Sequence, residues 1–269
     1  MTERPREATE QWRGSWAVVT GASAGIGRAI AEQLAAEGTN LFLTARRLDR
    51  LNEIADWLRM QRGIEVETFA ADLGEAGAPE EIYKRTEASG VRPSLLVNNA
   101  GFGLFGEFHA AERARLLTMI QVNCAAVVAL THLYLPGMIE RGAGDILILS
   151  STAAFQSVPY HSVYAATKGF DLLFAEGLAQ EVSNFGIRVC ALCPGNTESE
   201  FHQTAGEPSD VPLQRQKADE VARLGLDGLR NGKHTVICGL GNLVGMEVQR
   251  LLPRRLVSSV SAKIFRPKR

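Results

Sequence analysis

Short apolar runs alternate with longer segments of helical periodicity along most of the chain. Runs at 16–20, 40–44, 65–70, 95–98, 145–150, 186–192 and 234–238 read as strands. Between them, 25–37, 48–62, 79–89, 110–140, 163–184 and 218–230 place apolar residues at helical spacing. Most strand runs are apolar at odd and even positions alike, the mark of strands covered on both faces. The alternation predicts an α/β fold, a doubly wound parallel sheet with helices on both faces. No repeat or linker interrupts it, so residues 15–242 read as a single domain between an N-terminal extension, 1–14, and a tail, 243–269.

Two stretches break the rhythm. Residues 196–214 hold Gly206, Pro208 and Pro212 with few apolar anchors, and a loop of that length in a compact domain is usually functional. Residues 195–217 are therefore read as a flap over substrate, with an idle surface loop as the alternative. In the tail, Leu251, Leu252, Leu256, Val257, Val260, Ile264 and Phe265 mix with Arg250, Arg254, Arg255, Lys263, Arg266, Lys268 and Arg269, and no acidic residue follows Glu247. Such a basic amphipathic end suits either peripheral contact with an anionic membrane or a plain capping helix.

Composition narrows the class. The 269 residues are 45% hydrophobic and 22% charged with a net charge of −1, which argues against a general nucleic-acid binder. No apolar run approaches the roughly 20 residues of a membrane-spanning helix. The N-terminus lacks the apolar stretch of a secretory signal, so the cytoplasm is the expected compartment. The four cysteines do not form a disulfide framework. Cys190 and Cys193 lie three apart on a predicted strand and point to opposite faces, so they cannot chelate together. No His or Cys spacing suggests a metal.

The chemistry sits at two places. Gly21, Gly25 and Gly27 fall between a strand and a helix, where glycines permit a tight turn, close approach to a pyrophosphate and close helix–strand packing. The free N–H groups and dipole of the helix start favour phosphate. After the next strand the chain reads Thr44-Ala45-Arg46-Arg47, without the acidic residue that grips a ribose 2′-hydroxyl. Arg46 offers a planar cation for a 2′-phosphate, so NADP(H) is the expected coenzyme and NAD(H) the alternative. Asp72 is placed to bond the adenine amine, and Asn98 to tie neighbouring strands. Asn99, Ala100 and Gly101 close the fourth strand, where small residues leave room for adenosine and Asn99 is expected to contact the cofactor as well.

Tyr164 and Lys168 stand one helical turn apart, preceded by Ser151 at the end of a strand run. A free tyrosine titrates near pH ~10, and an ammonium on the same helix face stabilises its phenolate. Tyr164 is thus the candidate acid–base, with Ser151 orienting the substrate oxygen; Ser150 points to the other face. Asn123 interrupts a long apolar helix, where an amide needs partners. It is either a satisfied core amide or an anchor for a water relaying protons to Lys168. Phe102, Phe105, Phe155 and Phe201 are candidate pocket walls for an apolar, lipid-like or aromatic, carbonyl or alcohol substrate. His161 reads as a pocket wall or helix start.

Taken in order, residues 20–27, Asp72, 98–101, Asn123, Ser151, Tyr164, Lys168 and Pro194-Gly195 resemble the short-chain dehydrogenase/reductase family, over roughly 16–201 and more loosely to 239. The resemblance is to a bacterial branch akin to ketoacyl and hydroxysteroid reductases. It implies a seven-stranded Rossmann sheet, a catalytic tetrad of Asn123, Ser151, Tyr164 and Lys168, and 4-pro-S hydride transfer. It also implies cofactor contacts from Ser23, Ile26, Leu73, Ala100, Tyr164, Lys168, Pro194, Gly195 and Thr197. Ser199 stands where many relatives carry a threonine that holds the carboxamide. Homo-oligomerisation through the 110–140 and 163–184 helices is implied as well. The expected activity is interconversion of a carbonyl and a secondary alcohol. A dinucleotide-binding redox sensor or scaffold without turnover is the alternative.

Overall fold

The computed structural model describes residues 11–206 and 215–267. Seven strands, β1 (Trp16–Thr20), β2 (Asn40–Ala45), β3 (Val66–Ala70), β4 (Pro93–Asn98), β5 (Gly144–Leu149), β6 (Ile187–Cys193) and β7 (Thr235–Ile237), form one sheet in the order β3-β2-β1-β4-β5-β6-β7. Every neighbouring pair is parallel. The helices are α1 (Gly25–Ala36), α2 (Leu48–Arg62), α3 (Ala78–Ala88), α4 (Arg113–Ile120), α5 (Ala126–Arg141), α6 (Ser162–Val182), α7 (Phe201–Ala205), α8 (Ala218–Arg230), α9 (Leu240–Arg250) and α10 (Arg254–Phe265).

The strands are apolar on both parities because both faces are covered. Ala17, Val19, Leu41, Leu43, Leu95, Val97, Leu147, Cys190 and Leu192 pack with Ile30 and Leu34 of α1, Leu51 and Leu58 of α2, and Val221 and Leu229 of α8. The intervening Val18, Phe42, Leu96, Ile146, Ile148, Val189 and Cys193 pack with Ile82 of α3, Leu130 and Met138 of α5, and Leu172 and Leu178 of α6. Cys190 and Cys193 thus lie in opposite layers, and all four cysteines are buried and free. The strand order reverses between β1 and β4, which opens a crevice at the carboxyl ends of the strands.

Strand and helix ends fall within a few residues of the expected ones, but the structure departs from the sequence reading at several points. The 110–140 helix starts at Arg113 and contains a π-helical turn, Gln121–Ala125, between α4 and α5. The whole segment Arg113–Arg141 is, by length and composition, apolar enough to cross a membrane, contrary to the expectation from uninterrupted apolar runs. Scattered Thr, His and Asn break those runs without lowering the mean hydropathy much. In the fold this helix buries Val122, Ala126, Val127, Leu130 and Met138 in the core layer it shares with α6. Finally, residues 11–14 are not a mere extension, since Trp12 is one of the largest fully buried side chains.

Trp12 belongs to a polar staple at the amino ends of β5 and β6. Asp145 accepts hydrogen bonds from Trp12 Nε1 at 2.7 Å and Gln11 Nε2 at 2.8 Å. It also pairs with Arg188, its cross-strand neighbour, at 2.7 and 2.9 Å. The Arg230 guanidinium covers the Trp12 ring at 4.6 Å and pairs with Glu37. All of this lies at the amino ends of the strands, opposite the crevice.

Candidate active site

The crevice is a cleft of about 580 Å³, within the ~300–1,000 Å³ usual for ligand sites. One end is built on the glycine loop after β1. Gly21 and Gly25 adopt φ of +65° and +56°, left-handed values that favour glycine. A Cβ on Gly21 would lie 2.8 Å from Asn99 Nδ2, and one on Gly27 2.6 Å from Gly21 O and into Asn99 Nδ2. Asn99 is this close because its Nδ2 donates to Thr20 O at 2.8 Å and Gly21 O at 3.3 Å. Thr20 Oγ1 in turn accepts the N–H groups of Asn99 and Ala100 at 3.0 Å each. The Asn99 side chain therefore shapes the loop; Asn98, expected to tie neighbouring strands, instead ties β4 to Thr131 of α5 at 3.0 Å.

The loop and the start of α1 present Gly21, Ser23, Gly25 and Ile26 to the cleft, opposite Asp72, Leu73, Ala100 and Gly101. Asp72 Oδ1 accepts from Gly74 N at 2.9 Å. At the end of β2, Arg46 is exposed and lines the cleft. Arg47, which with Arg46 could have been only a solvated helix start, donates to Ser23 Oγ at 3.1 Å and to Glu200 at 2.7 Å. Arg50 donates to the other Glu200 oxygen at 2.5 Å. Those contacts from Arg50 and Arg47 hold the Glu200 carboxyl below the usual carboxylate range. Two guanidiniums beside a helix start, in a cradle where a Cβ would clash, fit a phosphorylated dinucleotide.

The other end is built on α6. Lys168 follows Tyr164 by one turn, and its Nζ lies 6.0 Å from the tyrosine ring centre. The lysine is 4% exposed; its ammonium donates to Leu149 O at 2.7 Å and to Asp171 Oδ2 at 3.0 Å. Burial opposes its charge, but Asp171 and then Tyr164 outweigh this and raise its pKa. Ser151 lines the cleft with Oγ accepting from Ala153 N at 3.1 Å. Ser150 turns away and donates to Lys168 O at 2.8 Å. Asn123 lies in the π-helical turn, wholly buried. Its Oδ1 accepts from Phe102 N at 3.1 Å, while Nδ2 donates to Phe102 O and Thr167 Oγ1 at 3.0 Å each. Its side chain is the satisfied core amide, pinning the loop after β4 against α6.

Aromatic side chains close the cleft beside Tyr164. Phe201 of α7 packs on the Tyr164 ring at 5.1 Å, and His161 at 6.1 Å. Phe265, at the end of α10, meets His161 edge-on at 5.8 Å and lines the cleft. Phe102 lines it too, whereas Phe155, half-buried against the core, does not, and Phe105 stands behind His161 at 5.1 Å. The tail thus supplies a wall of the site, and α9, starting at Leu240, crosses the boundary expected at 243.

Of the 195–217 stretch, the described ends are joined by a bridge between Thr197 and Gln216. Pro194, Gly195 and Thr197 line the cleft. Ser199 Cβ sits 3.0 Å from where a Gly25 Cβ would be. Pro208 and Pro212 lie outside the described residues. Among the described residues no group of three His, Cys, Asp or Glu side chains could hold a metal.

The sequence pattern of the short chain dehydrogenase family matches residues 15–210. A very-long-chain 3-oxoacyl-CoA reductase from Anas platyrhynchos is 34% identical over 227 residues, 81% of this chain and 72% of that protein. An uncharacterized oxidoreductase of Myxococcus xanthus is 30% identical over 248 residues, covering 92% of this chain and 96% of the relative. A short-chain dehydrogenase from Sphingobium yanoikuyae, solved with NADPH, superposes with a TM-score of 0.81 at 30% identity, over 88% of this chain and 93% of that one. The chain belongs to the short-chain dehydrogenase family and is an oxidoreductase that interconverts carbonyl and hydroxyl groups.

Proposed function

We propose that the protein is an NADP(H)-dependent reductase of apolar, lipid-like ketones, with Tyr164 as the acid–base. The observation that carries this is one continuous cleft joining the glycine loop and Arg46–Arg47 to Ser151, Tyr164 and Lys168, walled by Phe102, Phe201 and Phe265. When bound, the coenzyme supplies or accepts the hydride. Tyr164 then gives its phenolic proton to the carbonyl oxygen, which Ser151 orients, and Lys168 holds positive charge beside the phenol. The NADPH of the Sphingobium relative supports the coenzyme, with NAD(H) as a weaker alternative. The acyl substrate in the avian relative's name supports an apolar carbonyl compound. A ketone panel with NADPH tests the reading. Wild type should turn over long-chain or ring ketones and Tyr164→Phe should lose at least about 10²-fold, the low end of what a positioned acid contributes. Equal rates in both would remove Tyr164 from the chemistry.

The partners follow from two exposed apolar faces. Leu117, Ile120, Val128, Phe170 and Leu173 are exposed on α4, α5 and α6, and a second copy of this chain is the occupant proposed there. On α9 and α10, Leu240, Val244, Val248 and Leu251 form one exposed stripe and Leu256, Val260 and Ile264 another. They are flanked by Arg250, Arg254, Arg255, Lys263 and Arg266. That charge complements an anionic membrane. Co-sedimentation with phosphatidylglycerol vesicles should be lost in Arg254→Glu/Arg255→Glu, and binding unchanged by the swap would refute it. Four buried, unpaired thiols support a cytoplasmic location.

A further inference from the structure

Helix α6 carries a third ionisable residue on the face of Tyr164 and Lys168. Asp171 follows Lys168 by three residues and Tyr164 by seven, about 10.5 Å of helical rise. It is 0% exposed. Oδ2 lies 3.0 Å from Lys168 Nζ, and Oδ1 has no hydrogen-bond partner. A buried carboxylate is costly, and a well-packed apolar residue in its place is often neutral or better for stability. This one stands beside the ammonium of the candidate site with half its acceptors unused.

We propose that Asp171 is a positioning residue: it anchors the Lys168 ammonium and offsets its charge, and so sets the pH at which the Tyr164 site can accept a proton from an alcohol. The inference rests on the acid–base reading of Tyr164. An ammonium has three N–H donors. Here Leu149 O and Asp171 take two, which leaves one for a ligand in the cleft that Lys168 lines.

Other groups reach the same centre. His161 comes from the start of α6, Cys124 from the π-helical turn and Cys193 from β6. Arg115, Asp72, Glu200 and His202 line the cleft further out. Burial pushes the Cys124 thiol up to about 11 and the Cys193 thiol up to about 12, so both stay neutral through the working range. Asp171 is therefore the carboxylate that touches Lys168, and its charge subtracts from the field that would otherwise favour proton loss by the phenol.

The test is the pH profile of kcat/KM for alcohol oxidation at saturating NADP+, in wild type, Asp171→Asn and Asp171→Glu. Removing a negative charge makes proton loss easier, so the acid limb in Asp171→Asn should move to lower pH. About one pH unit is the order expected for a unit charge ~10 Å away at an effective dielectric near 20. Asp171→Glu keeps the charge and should keep the wild-type limb. A limb that does not move in Asp171→Asn, or moves equally in both variants, overturns the proposal. If Asp171→Asn fails to fold, Asp171→Ser, which leaves room for water, carries the same expectation. Failure of both to fold overturns it as well, since Asp171 would then be structural. Loss of activity in Tyr164→Phe is scored separately, so a failed acid–base reading is not confused with a failed role for Asp171.

Discussion

Gly27→Ala puts a methyl group where the glycine loop and the loop after β4 meet. The added Cβ would lie 2.6 Å from Gly21 O and 3.0 Å from Asn99 Cγ, so backbone or amide must move. Overpacking of this kind costs about 1–3 kcal/mol. If Asn99 is displaced, its bonds to Thr20 O and Gly21 O weaken too, at about 1 kcal/mol each. The sum, roughly 3–5 kcal/mol, corresponds to a fall in Tm of about 6–20 °C at ~2–4 °C per kcal/mol for a domain near this size. Coenzyme affinity should drop at least tenfold, about 1.4 kcal/mol, because the displaced loop is the phosphate cradle. Thermal melts with and without NADPH, together with calorimetric titration, measure both. Adding Asn99→Ala should recover part of the loss, but not all, since the contact with Gly21 O remains; a coupling of about 0.5–3 kcal/mol is expected for touching residues. A Gly27→Ala protein with wild-type Tm and wild-type NADPH affinity would refute the close-packed cradle.

Two further outcomes follow from the geometry. Arg46→Ala/Arg47→Ala should shift the NADP+ to NAD+ affinity ratio toward NAD+ by at least about tenfold, or 1.4 kcal/mol; Glu200→Gln, which frees Arg47 and Arg50, should shift it the other way. An unchanged ratio in the double variant would remove both arginines from coenzyme selection. Burial pushes Cys124 up to about 11 and Cys190, Cys193 and Cys238 up to about 12. At pH 8 each is a thiol in the native state, and a chromogenic disulfide reagent should find none of the four until denaturant is added; rapid native labelling would contradict the packing.

Local pattern carried much of this fold. Val18 and Val19, Leu41 and Phe42, or Leu96 and Val97 alternate between two covered faces, so their runs were legible as buried strands. Tyr164 and Lys168 needed only helical spacing to be placed together, and Ser150 and Ser151 only strand alternation to be told apart. What escaped depends on contacts distant in sequence. Arg47 meets Glu200 across 153 residues and Trp12 meets Asp145 across 133, separations that no periodicity encodes. The π-helical turn was hidden because the segment around Asn123 is apolar at most positions, so the rotation caused by one extra residue breaks no visible stripe. Nothing in the sequence around Asp171 marks it as buried against Lys168. Phe265 read only as one apolar residue of a basic amphipathic tail, and it takes α10 to bring it to His161.

The clamp formed by Asp145, Arg188, Trp12 and Arg230 is on the far rim from the reacting groups. Cohesion and chemistry are therefore assigned to opposite ends of the same strands. Grafting rim loops from homologous enzymes, to recast which ketones are accepted, should leave the scaffold's melting behaviour almost untouched.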